Sequence, residues 1–194
     1  SLVTLLDNGG IAKITLNRPE KLNAFNSELV EDLIKILHKA LLSRARLIIF
    51  EAEGRGFSGG FDLSEIKNIT DGDILLRFVR IEQLLQLVYH SRIATMAMVH
   101  GSCYGAAADL VAACHWRVAS PDASFRMPGS RFGIILGTRR LTNLVGEDNA
   151  RRLVLNHGVF NVQEALNCGF LNHVSEKRDW NNLKINKLNQ IMNL

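Results

Sequence analysis

Val99-His100-Gly101-Ser102-Cys103-Tyr104-Gly105-Ala106-Ala107-Ala108-Asp109 is the stretch whose reading decides the fold. An apolar run from Ala94 to Val99 enters a turn of tiny residues. A helix then opens close to a carboxylate. Side chains are nearly absent where backbone would be exposed, so a ligand oxygen can reach N–H groups at the helix start.

A second stretch repeats this construction. Leu47-Ile48-Ile49-Phe50 is a short buried strand, followed by Glu51 to Gly60, a glycine-rich exit loop. Phe61 and Asp62 follow, where a short helix is expected. In an α/β protein, strand exits of this kind line a common crevice. Two backbone N–H groups from separate exits can polarise one carbonyl and hold charge as it develops on the oxygen; losing one such donor typically costs about 3–4 kcal/mol. Neither loop is a P-loop or a dinucleotide fingerprint, since GxxxxGK[ST] and GxGxxG are absent.

The rest of the chain alternates strands and helices, which argues an α/β architecture. Leu2–Leu6 and Ile11–Leu16 read as strands around a four-residue turn, Asp7 to Gly10. Leu29, Leu33, Ile36, Leu37, Ala40 and Leu41 recur at helical spacing. Asp73 to Tyr89 reads as a stronger helix, and Trp116 to Ala119 as a strand. Helices are expected over Thr138–Val145, Glu147–His157 and Asn161–Cys168, with a small strand in Leu171–Val174.

The 194 residues are 47% apolar, enough for one sizeable core. Cys103, Cys114 and Cys168 are odd in number and show no CxxC spacing, which predicts a reducing compartment, the cytoplasm, and no zinc site. His90, His115, His157 and His173 show no metal-ligand spacing, so no metal is expected. There is no apolar run long enough to span a membrane, and the first residues lack a signal-peptide pattern. The net charge of +4 is compatible with an anionic ligand. Arg126, Arg131, Arg139, Arg140, Arg151 and Arg152 are not interleaved with aromatics, so nucleic acid is not the expected partner.

Three segments, in this order and spacing, resemble the crotonase (enoyl-CoA hydratase/isomerase) family: Ile14 to Ala24, Gly56 to Leu63 and Val99 to Asp109. The resemblance runs from about residue 2 to residue 174. It implies a spiral of ββα units with two roughly perpendicular sheets. It also implies trimers or hexamers, and an acyl-CoA substrate that carries coenzyme A in and out with no permanently bound cofactor. Under it, the oxyanion-hole N–H groups fall on Phe61 and Ala106. Coenzyme A contacts fall on Lys21, Leu22, Ala24, Gly59, Asp62 and Leu63, with Arg18 a further cation for phosphate. The core is expected over residues 1–178, and 179–194 as a short C-terminal tail or a remnant of the family's helical region.

Two departures narrow the chemistry. The hydratases of the family place two glutamates against the substrate, and here those positions hold Asp109 and Gly129. Aspartate withdraws the carboxylate by roughly an ångström, and displacement on that scale can lower a rate about a hundredfold. Glycine supplies no acid–base assistance, ordinarily a 10²–10⁴-fold effect. Asp109 near a helix start can serve the helix dipole alone, or act as a base whose ionised form the helix field favours. Arg126 and Arg131 bracket Gly129 and are candidates to meet an acidic acyl group, while His100 reads as a strand-end residue and Ser130 lacks a base partner in the sequence. The expected function is therefore enoyl-CoA hydratase/isomerase-like action on an acyl-CoA thioester, with fatty-acid metabolism as its setting. Thioester hydrolysis and non-catalytic acyl-CoA binding or oligomeric interaction are the alternatives.

Overall fold

A computed structural model describes residues 1–64, 66–132 and 137–193, without the side chains of residues 131 and 132. The main sheet begins with β1 (Val3–Asn8) and β2 (Ile11–Leu16), an antiparallel hairpin. The strands extend through Asp7 and Asn8, so the expected four-residue turn shrinks to Gly9-Gly10. β3 (Leu47–Ala52), β4 (Ala94–Val99), β6 (Trp116–Ala119) and β9 (His173–Val174) follow in parallel, giving six strands in the order β1-β2-β3-β4-β6-β9. Leu47, Ile48, Ile49 and Phe50 of β3 are all fully buried, as a central strand covered on both faces requires.

A second sheet arises where the sequence reads as a turn. Ser102–Tyr104 forms β5, which pairs in parallel with β7 (Ser124–Arg126); β7 pairs antiparallel with β8 (Val159–Asn161). Three residues leave too little alternation to be recognised as a strand. The core of this sheet is aromatic: Phe125, Phe160 and Phe170 pack with ring centroids 5.1 to 5.5 Å apart. Two sheets and seven α-helices among the described residues agree with the α/β architecture expected from the sequence.

The helices surround the sheets. α1 (Ser27–Leu42) starts at Asn26, whose side chain accepts from Leu29 N, and buries Leu29, Leu33 and Leu37. α2 (Asp71–Tyr89) begins two residues before the expected Asp73, because Thr70 and Asp73 form a capping box there. The short helix expected at Phe61-Asp62 does not form. Phe61 instead bridges Phe25, and a single 3₁₀ turn follows at Ile66–Asn68.

α3 (Ala106–Ala113) leaves β5 with no side-chain cap, and α4 (Thr138–Val145) packs beside it. α5 (Glu147–Asn156) stops one residue short of His157, which takes a left-handed conformation at φ +51°. α6 (Val162–Asn167) is boxed by Asn161 and Glu164. The segment expected as a tail or helical remnant contains α7 (Trp180–Met192). Trp180, Leu183, Leu188 and Ile191 cover Leu47, Ile49, Met96 and Met98 on the outer face of the main sheet. This tertiary burial, with Lys184 on Glu51 and Lys187 over the Trp116 ring, outweighs the helix's weak intrinsic propensity.

Candidate active site

The two glycine-rich exits lie side by side. Ser58 N donates to Ser102 O at 3.0 Å, and Tyr104 N donates back to Ser58 O at 3.0 Å. Gly60 stands at φ +84°, and a β-carbon there would fall 2.4 Å from the Tyr104 carbonyl oxygen and 3.4 Å from Ala106 N. Only glycine permits that approach. Among the described residues, neither Phe61 N–H nor Ala106 N–H has an acceptor. Both residues are half-buried and line one cavity of about 160 Å³.

Residues the sequence did not single out hold this loop. Arg77, buried on α2, lies 4.3 Å above the Phe61 ring and donates to the Asp62 carbonyl at 3.0 Å. Phe78 stacks on the same ring at 4.7 Å. Asn23 is fully buried and reaches the carbonyls of Glu53 and Gly56 at 2.9 and 3.3 Å. His100 contacts the Gly54 carbonyl through Nε2 at 2.8 Å, which accounts for it as a strand-end brace.

Of the sequence-derived candidates, Gly59, Phe61, Leu63, Ala106 and Asp109 share the cavity wall, together with Gly129 and Ser130. Asp62, Lys21, Leu22 and Ala24 are not among its described lining residues. The Asp62 carboxylate meets Arg18 at 2.6 Å and the Ser64 hydroxyl at 2.6 Å, so it braces the loop. Burial works against this carboxylate's ionisation, but the bonds from Ser64 and Arg18 prevail and hold its pKa at about 2. Arg18 Nη1 donates to the Ala24 carbonyl as well, tying the loop to the segment before α1. Lys21 remains exposed beside Leu22, whose carbonyl accepts from Gly59 N at 2.8 Å.

Asp109 sits in the first turn of α3 and lines the cavity. Among the described residues its carboxylate has no hydrogen-bond donor. Burial pushes its pKa up to about 7; nearby Arg140 opposes the rise and Glu82 adds to it. The rise runs against the direction expected from the helix field, and burial is its largest cause. The Arg140 guanidinium is itself bidentate on Glu82, at 2.6 and 2.9 Å. That pair joins α4 to α2 across 58 residues of sequence.

Arg126 is likewise occupied: its Nε donates to the His157 carbonyl at 2.8 Å. The Arg131 side chain lies outside the described residues. Ser130 Oγ donates to the Val154 carbonyl at 2.9 Å and lies over the face of the His157 ring, 3.0 Å from Nδ1 and 3.5 Å from Nε2. Sequence reading missed this contact because 27 residues separate Ser130 and His157. No group of His, Cys, Asp or Glu among the described residues is arranged to hold a metal. None of the described helices is long and apolar enough to cross a membrane.

Residues 7–193 match the enoyl-CoA hydratase/isomerase family model. The chain belongs to this family. It is 33% identical over 174 residues to the probable enoyl-CoA hydratase echA6 of Mycobacterium tuberculosis, covering 87% of this chain and 69% of that relative. It is 29% identical over 188 residues to the mitochondrial Delta(3,5)-Delta(2,4)-dienoyl-CoA isomerase of Dictyostelium discoideum, covering 89% of this chain and 64% of that one. A crystal structure of a putative enoyl-CoA hydratase/isomerase from Bordetella parapertussis superposes with a TM-score of 0.97 at 40% identity, covering all of this chain and 81% of that one. Asp109 is the sole carboxylate among the described cavity-lining residues, and Gly129 lines the same cavity.

Proposed function

We propose that this chain binds an acyl-CoA thioester with its carbonyl oxygen on the N–H groups of Phe61 and Ala106, and that Asp109 alone moves the protons of a hydration. The observation that carries this reading is the pair of donors, unpartnered among the described residues, that share one cavity with Asp109, the one carboxylate among its described lining residues. Lys21, Leu22 and Ala24 are assigned to the coenzyme A portion, which enters as part of the substrate. Ionised Asp109 takes a proton from water as the oxygen adds to the β-carbon. The electron pair moves to the thioester oxygen, where the two N–H groups hold it. Protonated Asp109 then returns its proton to the α-carbon, giving the 3-hydroxyacyl thioester.

A pKa of about 7 suits a group that must both accept and donate near neutrality. The unpaired cysteines fit a reducing compartment, the cytoplasm. A homotrimer or hexamer, and a place in fatty-acid metabolism, complete the proposal; light scattering of the purified chain tests the assembly.

The reaction is tested by incubating the protein with crotonyl-CoA and with saturated acyl-CoAs, following double-bond loss and thiol release separately. Double-bond loss above background that disappears in Asp109→Asn supports hydration. Thiol release alone favours hydrolysis. Saturable binding with neither change leaves a carrier of acyl-CoA, and absence of binding overturns the proposal.

A further inference from the structure

Phe78 stands between two spaces. It is half-buried on α2, and its ring stacks on Phe61 with centroids 4.7 Å apart and planes 24° apart. It lines the cavity of about 160 Å³ that Phe61, Ala106 and Asp109 share. It also lines an open groove of about 920 Å³ beside α1 and α2, whose walls include Ile34 and Leu41 of α1 and Leu75, Val79 and Leu87 of α2. Among the described residues, Phe78 alone lines both.

The size of the cavity limits what it can hold. With a thioester carbonyl on the Phe61 and Ala106 N–H groups, the acyl chain continues along the apolar wall of Leu63, Ile66, Phe78, Ile81 and Leu141. An apolar cavity of about 150 Å³ holds one benzene molecule, so this one has room for roughly six carbons. The Phe61 ring yields no further room, because Arg77 lies over it at 4.3 Å and Phe78 stacks on it. Phe78 differs. Beyond it lies the open groove, where Leu75 and Val79 are 63% and 43% exposed. Truncating Phe78 therefore joins the two spaces.

We propose that Phe78 sets the acyl-chain length this site accepts: it closes the cavity behind roughly the sixth carbon and keeps longer chains out of the groove beside α1 and α2. The inference rests on the acyl-CoA reading above and narrows its substrate class to short-chain thioesters. Phe78 makes and breaks no bond. It acts by occupying space, so its effect depends on the length of the chain and not on the chemistry at the thioester.

The test measures binding of butyryl-, hexanoyl-, octanoyl- and decanoyl-CoA by calorimetry, below micelle-forming concentrations, to the full chain, to Phe78→Ala and to Phe78→Leu. For the unaltered chain, affinity should rise about fourfold per methylene, the worth of burying one, as far as hexanoyl-CoA and then level off or fall. In Phe78→Ala the rise continues, so that the decanoyl-to-butyryl affinity ratio exceeds that of the unaltered chain at least about tenfold. Phe78→Leu lies between. Adding Val79→Asp, a charge at an exposed position of the groove, removes that gain and leaves butyryl-CoA binding as in Phe78→Ala. The ratio to butyryl-CoA is the readout because loosening of the Phe61 ring lowers every affinity alike, whereas joining the two spaces favours long chains alone. Affinity that climbs through decanoyl-CoA in the unaltered chain, or a Phe78→Ala profile that coincides with the unaltered one, overturns this inference and leaves the acyl-CoA reading standing. Absence of binding by every acyl-CoA removes both. If thermal unfolding shows that Phe78→Ala does not fold, Phe78→Leu decides.

Discussion

A β-carbon on Gly137 would lie 2.7 Å from Oδ1 of Asp109. Gly137 also stands at φ +70°, at the start of α4, and the same β-carbon would lie 3.5 Å from Nη2 of Arg140. The carboxylate position is therefore set by how closely α4's first turn approaches α3. Gly137→Ala is expected to push the carboxylate away and strain the turn. Displacement by about an ångström predicts a roughly hundredfold loss in kcat, with acyl-CoA affinity changed only a few-fold. Steady-state kinetics and calorimetry on the same preparation check the split.

Asp109 acts as a base only when ionised, and burial holds its pKa at about 7. Hydration should therefore rise with pH and level off above that value. Arg140→Met removes the cation that opposes the rise, so the midpoint of the profile moves to higher pH. A pH–rate profile of kcat/KM for both proteins checks this. A profile flat from pH 5 to 9 contradicts the assignment.

The same shift makes a stability prediction of definite sign. The folded state binds the Asp109 proton more tightly than the unfolded chain does, where an aspartate titrates near 3.9. Its contribution is full below pH 4 and is lost as pH rises through 7, on the order of 4 kcal/mol across that window. Asp109→Asn escapes the loss. Its melting temperature should match the unaltered protein near pH 4 and exceed it by several degrees at pH 8, as scanning calorimetry reads.

Arg18 and Asp62 bond at 2.6 Å with side chains 12% and 6% exposed. Removing one partner strands the other, which for a buried pair costs about 3–5 kcal/mol. Arg18→Ala should therefore unfold at clearly lower denaturant. It should also weaken acyl-CoA binding, because Arg18 holds the Ala24 carbonyl beside the assigned coenzyme A contacts. Denaturant titration and calorimetric binding separate the two effects.

The outline of the fold is legible in the chain because its signals are local. Leu47 to Phe50 is apolar without interruption, Thr138–Val145 has the expected bounds, and Asn161 with Glu164 marks its own helix start. The glycine-rich exits disclose their shared crevice because only small residues allow two backbones to meet, as at Gly60 and Tyr104. What is not legible depends on distant contacts. β5 exists because Ser124–Arg126 pairs with it. The Asp109 ionisation was misjudged because it depends on enclosure by the cavity and on Glu82 engaging Arg140. The Arg18–Asp62 bond, which joins residues 44 apart, left no local signal either.

The central claim is that the N–H groups of Phe61 and Ala106 receive a thioester carbonyl. It is tested most directly by nuclear magnetic resonance of the amide protons during titration with butyryl-CoA and, separately, with free coenzyme A. The account predicts downfield shifts of the Phe61 and Ala106 amide protons that saturate with butyryl-CoA and are absent or much smaller with coenzyme A alone. Saturated butyryl-CoA binding with both amide protons unmoved would contradict it.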